Sequence, residues 1–340
     1  MSNILNIGVI GAGRIGKVHM ATVAYRTPGA SARIAAIADV NGAAARQVAA
    51  QFSVPTAADD PAAIFGDKAI DAVFICSSTD THARFIEAAA AAGKHIFCEK
   101  PIALDLAVID RALAAVEKAG VKLQIGFNRR FDANFARVRQ AIVSGEIGAP
   151  ALLHIISRDP GPPPIAYVKV SGGMFMDMTI HDFDMARFLI GAEVTEVYTQ
   201  AGVTVDPAIG AAGDVDTAVI MLKYANGVIG TIDNCRRASY GYDQRVEVLG
   251  SKGAIATANN YPNAATVSDG VSVRRDLPLN FFMERYTESF ATEVGAFVDA
   301  VLHDKPTPVT GHDGRVPVVM ALAALKSHRE GRPVKLSEIG

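Results

Sequence analysis

The chain has 340 residues, of which 50% are hydrophobic and 20% are charged. Because this length exceeds what one hydrophobic core usually supports, it predicts two domains. The 33 Lys and Arg against 35 Asp and Glu give a formal net charge of −2, so the chain has no basic field of the kind that attracts nucleic acid.

The cysteines and the apolar runs exclude further classes of protein. Cys76, Cys98 and Cys235 are widely spaced, which is typical neither of a disulfide framework nor of a zinc site. No run reaches the roughly 18 apolar residues that a membrane span needs. The N-terminal stretch MSNILNIGVIGAG lacks the basic region and the cleavage site of a signal peptide. We therefore expect a cytoplasmic protein without a membrane or nucleic-acid partner.

The segment 1–126 alternates short β-rich runs with longer helical runs. The predicted strands are NIGVIG, ARIAAIAD, DAVFICSS, HIFCEK and VKLQIGFN. The predicted helices between them include AAARQVAAQF, THARFIEAAAAAG and DLAVIDRALAAVEKAG, which are rich in Ala and have helical spacing. The strands are apolar almost throughout, as expected when helices cover both faces of a sheet. The alternation predicts an α/β fold that begins with a Rossmann domain, a doubly wound parallel sheet.

Strand-like runs follow one another more directly in the segment 127–340. Asn226–Gly227 between two of these runs is a strong hairpin signal. Helical spacing predicts helices over Phe175–Leu189, from about Phe290 to His303 and near Val316–Arg329. We expect an α+β domain with a large, mostly antiparallel open sheet, which binds substrate and mediates oligomerisation. The strand-like runs are LLHIISR, VTEVYTQAGV, TAVIMLKY, VIGTIDNC and RVEVLGS.

A glycine-rich turn follows the first predicted strand. GVIGAGRIG places Gly11, Gly13 and Gly16 in the G-x-G-x-x-G spacing. The first glycine permits a tight turn, the second lets a pyrophosphate approach, and the third lets helix and strand pack closely, with the phosphates at the helix N-terminus. The strand–turn–helix context favours a dinucleotide site over an ordinary glycine turn. The predicted cofactor site includes the intervening Arg14 and Ile15.

Asp39 ends the second predicted strand. A carboxylate at this position hydrogen-bonds the adenosine ribose and repels a 2′-phosphate. No Arg or Lys follows it at Val40 or Asn41, so we expect NAD rather than NADP as cofactor. The alternative is that Asp39 only caps the next helix.

Two later loops also follow predicted strands at the carboxyl edge of the sheet, where open α/β folds bind their ligands. Glu99 and Lys100 follow the fifth strand, and the lysine charge can stabilise a developing alkoxide. The alternative is an ordinary surface lysine. The loop SSTDTH contributes Ser77, Thr79 and His82, which cap the next helix, line the cofactor or do both.

The helix predicted over Phe175–Leu189 carries an unusual stripe. Asp177, His181 and Asp184 fall at i, i+4 and i+7 among apolar residues, so they point inward, whereas Asp182 points to the other side. Burial of such groups is costly unless they are paired. The stripe therefore favours a polar site, with a helix merely tied to its neighbours by an Asp–His pair as the alternative.

Together these motifs resemble the Gfo/Idh/MocA oxidoreductase family. The resemblance covers nearly the whole chain and rests on the glycine turn, on EKP at 99–101, on GFNRRFD at 126–132 and on the HDFD helix. The long stretch RDPGPPPIAYVKVSGGMFMDMTIHDFDMARFL is similar to bacterial members that oxidise the 2-hydroxyl of inositol with NAD. Another inositol isomer, a pyranose sugar, or a non-catalytic role in NAD sensing stays open.

The resemblance also implies roles for individual residues. It implies that Lys100, Asp177 and His181 form the catalytic group, with Lys100 also in the cofactor site. It implies that Arg130 and Asp184 contact the polyol substrate or hold the groups that do. It requires no metal, and it implies a homotetramer, since the family usually assembles through its open sheet. Further substrate contacts that a rough alignment suggests are Arg158, Tyr240 and Tyr286.

Overall fold

The computed structural model describes residues 4–26 and 31–340. Its strands are β1 (Leu5–Ile10), β2 (Ala32–Ala38), β3 (Thr56–Ala58), β4 (Ala72–Ile75), β5 (His95–Glu99), β6 (Leu123–Gly126), β7 (Pro150–Arg158), β8 (Val194–Gly202), β9 (Thr217–Tyr224), β10 (Ile229–Cys235), β11 (Asp243–Gly250), β12 (Gly253–Ala256), β13 (Thr266–Ser268), β14 (Val273–Arg275) and β15 (Val334–Lys335). Its helices are α1 (Arg14–Arg26), α2 (Gly42–Phe52), α3 (Ala62–Gly66), α4 (Thr79–Ala91), α5 (Leu106–Ala119), α6 (Ala133–Val143), α7 (Ile165–Val168), α8 (Met174–Asp177), α9 (Ile180–Ile190), α10 (Pro207–Ala211), α11 (Phe282–Arg285), α12 (Thr287–Leu302) and α13 (Gly311–Glu330).

Contacts divide the chain into two compact units. The first unit is Met1–Phe131 with Glu288–Val316, and the second is Asp132–Thr287 with Pro317–Gly340. The division of the sequence into domains 1–126 and 127–340 stays a prediction. The contacts differ from it in two respects, because the first unit extends to Phe131 and a late segment of the chain, Glu288–Val316, belongs to it.

The first unit contains a six-stranded parallel sheet in the order β3-β2-β1-β4-β5-β6. Every pairing in it is parallel. The order reverses direction between β1 and β4, so the loops after these two strands flank the switch point at which such sheets bind ligands. The predicted doubly wound sheet is confirmed. The short β3 and α3 were not predicted, because three to five residues carry too little periodicity to be recognised.

Helix α5 shows why these segments form helices. Asp105 precedes it and accepts a hydrogen bond from the backbone N–H of Val108, which satisfies one otherwise unpaired donor of the first turn. Ile109, Ala112 and Val116 recur at helical spacing and are buried. The helix ends at Gly120, whose φ of 65° lies in the left-handed region that glycine adopts readily.

The core of the first unit explains why the late segment belongs to it. Phe74 of β4 and Phe97 of β5 pack together, with ring centroids 4.8 Å apart. Phe297 of α12 contacts both rings edge-on, at 5.6 and 5.9 Å. All three side chains are fully buried, and Val294 and Val298 of the same helix join the cluster. Helix α12 therefore completes this core.

The second unit contains a seven-stranded sheet in the order β12-β11-β7-β10-β9-β8-β15. Only the β10–β7 pairing is parallel among those described. The predicted large, mostly antiparallel sheet is confirmed. Strands β9 and β10 form the expected hairpin across Asn226–Gly227, where Gly227 has a φ of 89°.

Burial alternates along the strands of the second sheet. In β9, Ala218, Ile220 and Leu222 are buried, whereas Val219 and Met221 between them are about half exposed. This is the pattern of a sheet with one face on a core. The outward apolar set also includes Leu152, Ile229 and Leu249.

The helix expected over Phe175–Leu189 is two helices, α8 and α9. The backbone N–H of Thr179 bonds to the carbonyl of Met174, five residues back, and that of His181 bonds to Met178, three residues back. These bonds replace the regular i→i−4 ladder at the junction. Thr179 also donates its hydroxyl to Asn234 at 2.6 Å, which holds the break in place. The predicted stripe is therefore divided, with Asp177 closing α8.

Among the residues that the structure describes, no helix is both long and apolar enough to cross a membrane.

Candidate active site

The glycine turn of the first unit has the geometry of a phosphate-binding loop. Gly11 has a φ of 111°, and a Cβ on Gly16 would lie 2.1 Å from the Gly11 carbonyl oxygen, so both positions require glycine. Apart from Gly13 itself and its two chain neighbours, no described residue has an atom within 4 Å of the place a Cβ on Gly13 would occupy, which leaves the backbone open to a ligand. Helix α1 begins directly afterwards at Arg14, followed by Ile15, and its N-terminal end favours an anion. The turn fits a dinucleotide pyrophosphate.

Asp39 lies beside this turn and binds its backbone. One carboxylate oxygen accepts from the N–H of Ala12 at 2.7 Å, and the other accepts from the N–H of Asn41 at 2.8 Å. The cap of α2 is Asn41, whose side chain accepts from the N–H of Ala44. Asp39 thus places a negative charge next to the glycine turn and supports its shape, while a neighbouring residue caps the helix.

The loops after β4 and β5 are joined by His82. Its ring is 1% exposed, with Nδ1 2.8 Å from the Pro101 carbonyl oxygen and Nε2 3.0 Å from the Ser77 carbonyl oxygen. The ring nitrogens therefore bind the protein backbone. The Ser77 hydroxyl lies 2.6 Å from that of Thr81, and α4 begins at Thr79 without a side-chain capping bond from the preceding residue.

Glu99 ends β5 on a buried support, and Lys100 is the next residue. The Glu99 carboxylate lies 2.7 Å from Nε2 of His19, which is fully buried against Phe97 and neighbouring aromatic rings. A Cβ on Gly126 would lie 3.1 Å from that carboxylate, so glycine leaves room for it. Lys100 follows, is half-buried and precedes a cis peptide bond to proline. It therefore follows directly after the residue that is hydrogen-bonded to the buried His19.

The two cysteines nearest this edge are buried thiols. Burial, with the negative charge of Glu99 as a lesser cause, raises the pKa of both Cys76 and Cys98 well above its usual value. Both therefore stay protonated and unreactive near neutral pH.

Arg130 lies in a 3₁₀ turn after β6 and forms an ion pair within the first unit. Its guanidinium donates to the Asp313 carboxylate at 2.9 Å, near the start of α13. Burial raises the pKa of Asp313, but the Arg130 charge and the hydrogen bonds from Thr310 outweigh it and lower the pKa to about 2. The structure thus shows Arg130 supporting the first turn of α13.

Asp177 of the second unit is held by two side chains from other segments. The Tyr167 hydroxyl donates to one carboxylate oxygen at 2.8 Å. The Arg236 guanidinium donates to the other oxygen, at 3.3 and 3.4 Å from its two terminal nitrogens. Both partners are absent from the sequence-based prediction. Arg236 follows a β-strand in a run of ordinary surface character, and only its full burial in the fold distinguishes it.

The remaining residues of the stripe occupy α9. His181 is half-buried near the start of the helix, and Asp184 is buried. Asp182, which was expected on the other side, is fully buried and accepts from the Asn234 side chain at 2.9 Å. The structure thus binds Asp182 to the sheet rather than leaving it at the surface.

Arg158, Tyr240 and Tyr286 occupy polar clusters in the second unit. Arg158 binds Asp233, and the Tyr240 hydroxyl at 3.1 Å, and these contacts raise its pKa. Burial and the hydrogen bond to Asp243 raise the pKa of Tyr240. Tyr286 is 2% exposed. The side chains of Arg158 and Tyr240 are brought together, while Tyr286 is packed in the interior.

Among the described residues, no group of three or more His, Cys, Asp or Glu side chains is arranged to hold a metal ion.

Comparison with known proteins gives matches over most of the chain. Residues 5–127 match an oxidoreductase family with an NAD-binding Rossmann fold, and residues 135–256 match the Gfo/Idh/MocA C-terminal domain. The myo-inositol 2-dehydrogenase of Thermotoga maritima is 47% identical over 98% of this chain and 99% of that protein. The inositol 2-dehydrogenase of Rhizobium meliloti is 46% identical over 98% and 99%. The crystal structure of scyllo-inositol dehydrogenase from Lactobacillus casei with bound NAD(H) and scyllo-inositol has a TM-score of 0.91 at 30% identity, covering 98% of this chain and 99% of that one.

Proposed function

This chain belongs to the Gfo/Idh/MocA oxidoreductase family, and from that premise we propose that it oxidises a secondary hydroxyl of inositol with NAD as the hydride acceptor. The proposed reaction converts myo-inositol to 2-keto-myo-inositol. The observation that carries the proposal is a half-buried carboxylate, Asp177, held by Tyr167 and Arg236 and placed four residues before His181. A histidine base with an acidic neighbour suits proton abstraction from a hydroxyl.

The proposed mechanism assigns one task to each catalytic group. NAD held at the glycine turn would supply the acceptor for the hydrogen that leaves the substrate carbon as hydride. His181 removes the hydroxyl proton, since a neutral imidazole is a suitable base near neutral pH. Asp177 orients the His181 ring and stabilises its charged form. Lys100 supplies positive charge to the alkoxide that develops on the substrate oxygen.

Support for NAD as the cofactor comes from the glycine turn and from Asp39. The open backbone at Gly13 and the start of α1 suit a pyrophosphate. The carboxylate of Asp39, already bonded to the N–H of Ala12, disfavours the additional phosphate of NADP. The proposed cofactor site also includes Ser77, Thr79, His82 and Glu99, with His82 acting through the two carbonyl groups that it binds.

The proposed substrate site includes two arginines, Arg130 and Arg158, that the structure places in ion pairs. Asp184 and Arg130 contact the polyol or hold groups that do, and the contact of Arg130 with Asp313 favours the second role for it. Arg158 and Tyr240 offer a guanidinium and a hydroxyl to a polyol. A direct contact from the buried Tyr286 has less support than one from these residues.

Steady-state turnover tests the proposal directly. The purified protein is assayed with NAD and, separately, with myo-inositol, scyllo-inositol, chiro-inositol and glucose, and NADH formation and the product are both measured. We expect the highest kcat/KM with myo-inositol and a 2-keto product. If NADH forms with glucose and with none of the inositols, the proposed substrate is wrong.

Two other functions are distinguished by the same assay. A different inositol isomer is favoured by the likeness to the scyllo-inositol dehydrogenase, and the same substrate panel distinguishes it. A non-catalytic NAD-sensing protein would bind NAD and turn over none of these compounds. The carboxylate of Asp177, held by Tyr167 and Arg236 four residues before His181, argues against sensing, because binding of NAD alone has no use for a histidine base with an acidic neighbour.

We further propose that the protein is a cytoplasmic homotetramer that acts in inositol catabolism. The outward apolar residues of the second sheet support association, since they form a set on one face that another subunit would cover. The three widely spaced cysteines, none of which is paired in a disulfide in the described part of the chain, suit a reducing compartment. Sedimentation analysis of the purified protein measures the number of subunits.

A further inference from the structure

Arg236 lies at the centre of a buried charged cluster in the second unit. Its side chain is 1% exposed, and both terminal nitrogens contact one oxygen of Asp177. One of these nitrogens also lies 3.9 Å from the Asp214 carboxylate. A buried guanidinium requires negative partners to offset its lost hydration, and the two carboxylates supply them.

The same cluster holds both ends of α8. Asp214 accepts from the backbone N–H of Met174 at 3.0 Å, at the first residue of this helix, and Asp177 is its last residue. The preceding Gly173 has a φ of 81°, and a Cβ there would lie 2.8 Å from the Asp214 carboxylate. Because Arg236 bridges the two carboxylates, the helix and its terminal carboxylate are fixed together.

The backbone of Arg236 is itself fixed. It directly follows β10, and its N–H donates to the carbonyl of Asp216 at 2.8 Å. The Asp216 carboxylate accepts three backbone N–H groups, from residues 204, 205 and 206, at 2.8 to 3.0 Å. Burial raises the pKa of Asp216, but these donors outweigh it and lower the pKa below its usual value. The guanidinium therefore extends from a rigid base.

We propose that Arg236 is a positioning residue that acts on catalysis through Asp177. Its two nitrogens fix one oxygen of Asp177 while Tyr167 fixes the other, so the carboxylate plane has one orientation in which to direct His181. A lysine has no planar pair of donors and would retain the charge without the orientation. The inference rests on the proposed function, because it requires Asp177 to assist His181.

A double-mutant cycle separates this role from a merely structural one. If Arg236 acts through Asp177, Arg236→Gln lowers kcat on myo-inositol by about 10–100-fold in the wild-type background and by less than about threefold in the Asp177→Asn background. The Kd for NAD stays unchanged, because the glycine turn lies in the other unit. Arg236→Lys gives an intermediate kcat.

Arg285→Gln is the matched control. Arg285 is also a buried arginine of the second unit, and its guanidinium binds Asp132. We expect a comparable fall in Tm with a much smaller fall in kcat. If Arg236→Gln does not fold, the cycle is run with Arg236→Lys.

The outcomes are distinguishable. Equal losses of kcat in both Asp177 backgrounds, or equal losses from the Arg236 and Arg285 variants at the same fall in Tm, would overturn the positioning role alone. Absence of turnover by the wild-type protein on every polyol tested would overturn the proposed function, and this inference with it.

Discussion

The glycine turn of the first unit and the charged cluster of the second unit both hold negative charge, and they are built from different parts of the chain. The turn uses backbone geometry within a few consecutive residues, Gly11 to Gly16. The cluster uses side chains that are far apart in sequence, since Asp177 and Arg236 are separated by 59 positions. The backbone site is therefore determined by neighbouring residues, whereas the side-chain site depends on the whole fold, which brings its residues together.

This difference predicts which measurement each region controls. Changes in the first unit near the turn should alter NAD affinity, and changes in the second unit should alter the rate at saturating NAD. Lys100 is the informative exception, because it belongs to the first unit and is proposed to act on the reaction itself.

The largest effect is expected at His181. Replacing it with Ala removes the proposed base, and we expect kcat/KM to fall by about 10²–10⁴-fold. The ionisation that a histidine base introduces on the acid side of the kcat/KM profile should disappear, while the Kd for NAD should stay constant. A profile that keeps this ionisation in the His181→Ala variant would assign the base to another residue.

Lys100→Met tests whether this residue of the first unit acts on the reaction rather than on NAD affinity. A missing charge at a developing alkoxide typically costs about 10²–10³ in kcat. NAD binding, measured by fluorescence titration, should be nearly unchanged. An effect confined to the KM for the polyol would show that Lys100 only binds substrate. Weakened NAD binding would show that Lys100, like the residues near the glycine turn, controls NAD affinity rather than the rate.

The double change Asp39→Ser with Val40→Arg should move the cofactor preference toward NADP. A new hydrogen bond to a charged phosphate is worth about 1.5–3 kcal/mol, or about 10–100-fold in relative affinity. NAD binding should also weaken, because Asp39 no longer supports Ala12 of the turn. Val40 is 89% exposed, so Val40→Arg alone is the control that keeps this support. Equal use of NADP by the wild-type protein would contradict the role of Asp39.

Asp313→Asn tests an ion pair that stabilises the first unit. With a pKa of about 2 in the folded protein, Asp313 contributes about 2 kcal/mol to the free energy of unfolding near neutral pH. This contribution is present above pH 3.8, the pKa of the carboxyl in the unfolded chain, and is lost as the pH falls toward 2. The difference in free energy of unfolding between wild type and variant, measured by urea unfolding, should therefore decrease as the pH is lowered.

A matched control for Asp313 is Asp269→Asn. Asp269 is an exposed carboxylate that pairs with Arg274. Its replacement should change unfolding little at any pH, because exposed pairs are screened by water. If the Asp313 variant loses the same free energy of unfolding at every pH, the effect comes from helix capping rather than from charge.

The smallest effect is expected at Asp182. Asp182→Asn weakens its contact with Asn234 and should lower the free energy of unfolding by about 1 kcal/mol. The kcat should stay close to that of the wild-type protein, because this carboxylate is bonded toward the sheet. Loss of turnover here, with turnover retained in His181→Ala, would contradict both assigned roles.

The fold was predictable where periodicity or glycine chemistry is local. The strands and helices of the Rossmann sheet, the G-x-G-x-x-G turn and the hairpin at Asn226–Gly227 all follow from neighbouring residues. The break between α8 and α9 was not predictable, because it depends on the hydrogen bond from Thr179 to Asn234, 55 positions later. The helical spacing of the sequence predicts an uninterrupted helix over Phe175–Leu189.

The site shows the same limit. Asp39 and Lys100, predicted from their places after strands, and Asp177 and His181, predicted from their spacing, stay predictions. Arg236 had no such signal, since it becomes significant only when folding buries its guanidinium beside Asp177. Long-range partners of this kind require coordinates.

The discontinuous core of the first unit has a consequence for synthesis on the ribosome. The sheet strands are all complete by Gly126, but Phe297 of α12 emerges only after the whole intervening segment of the second unit. At translation rates of about 5–20 residues per second, the rings of Phe74 and Phe97 wait roughly 10–45 s for their partner. During that interval the apolar surface on which α12 packs lacks its own helix, so the core of the first unit is completed only late in synthesis.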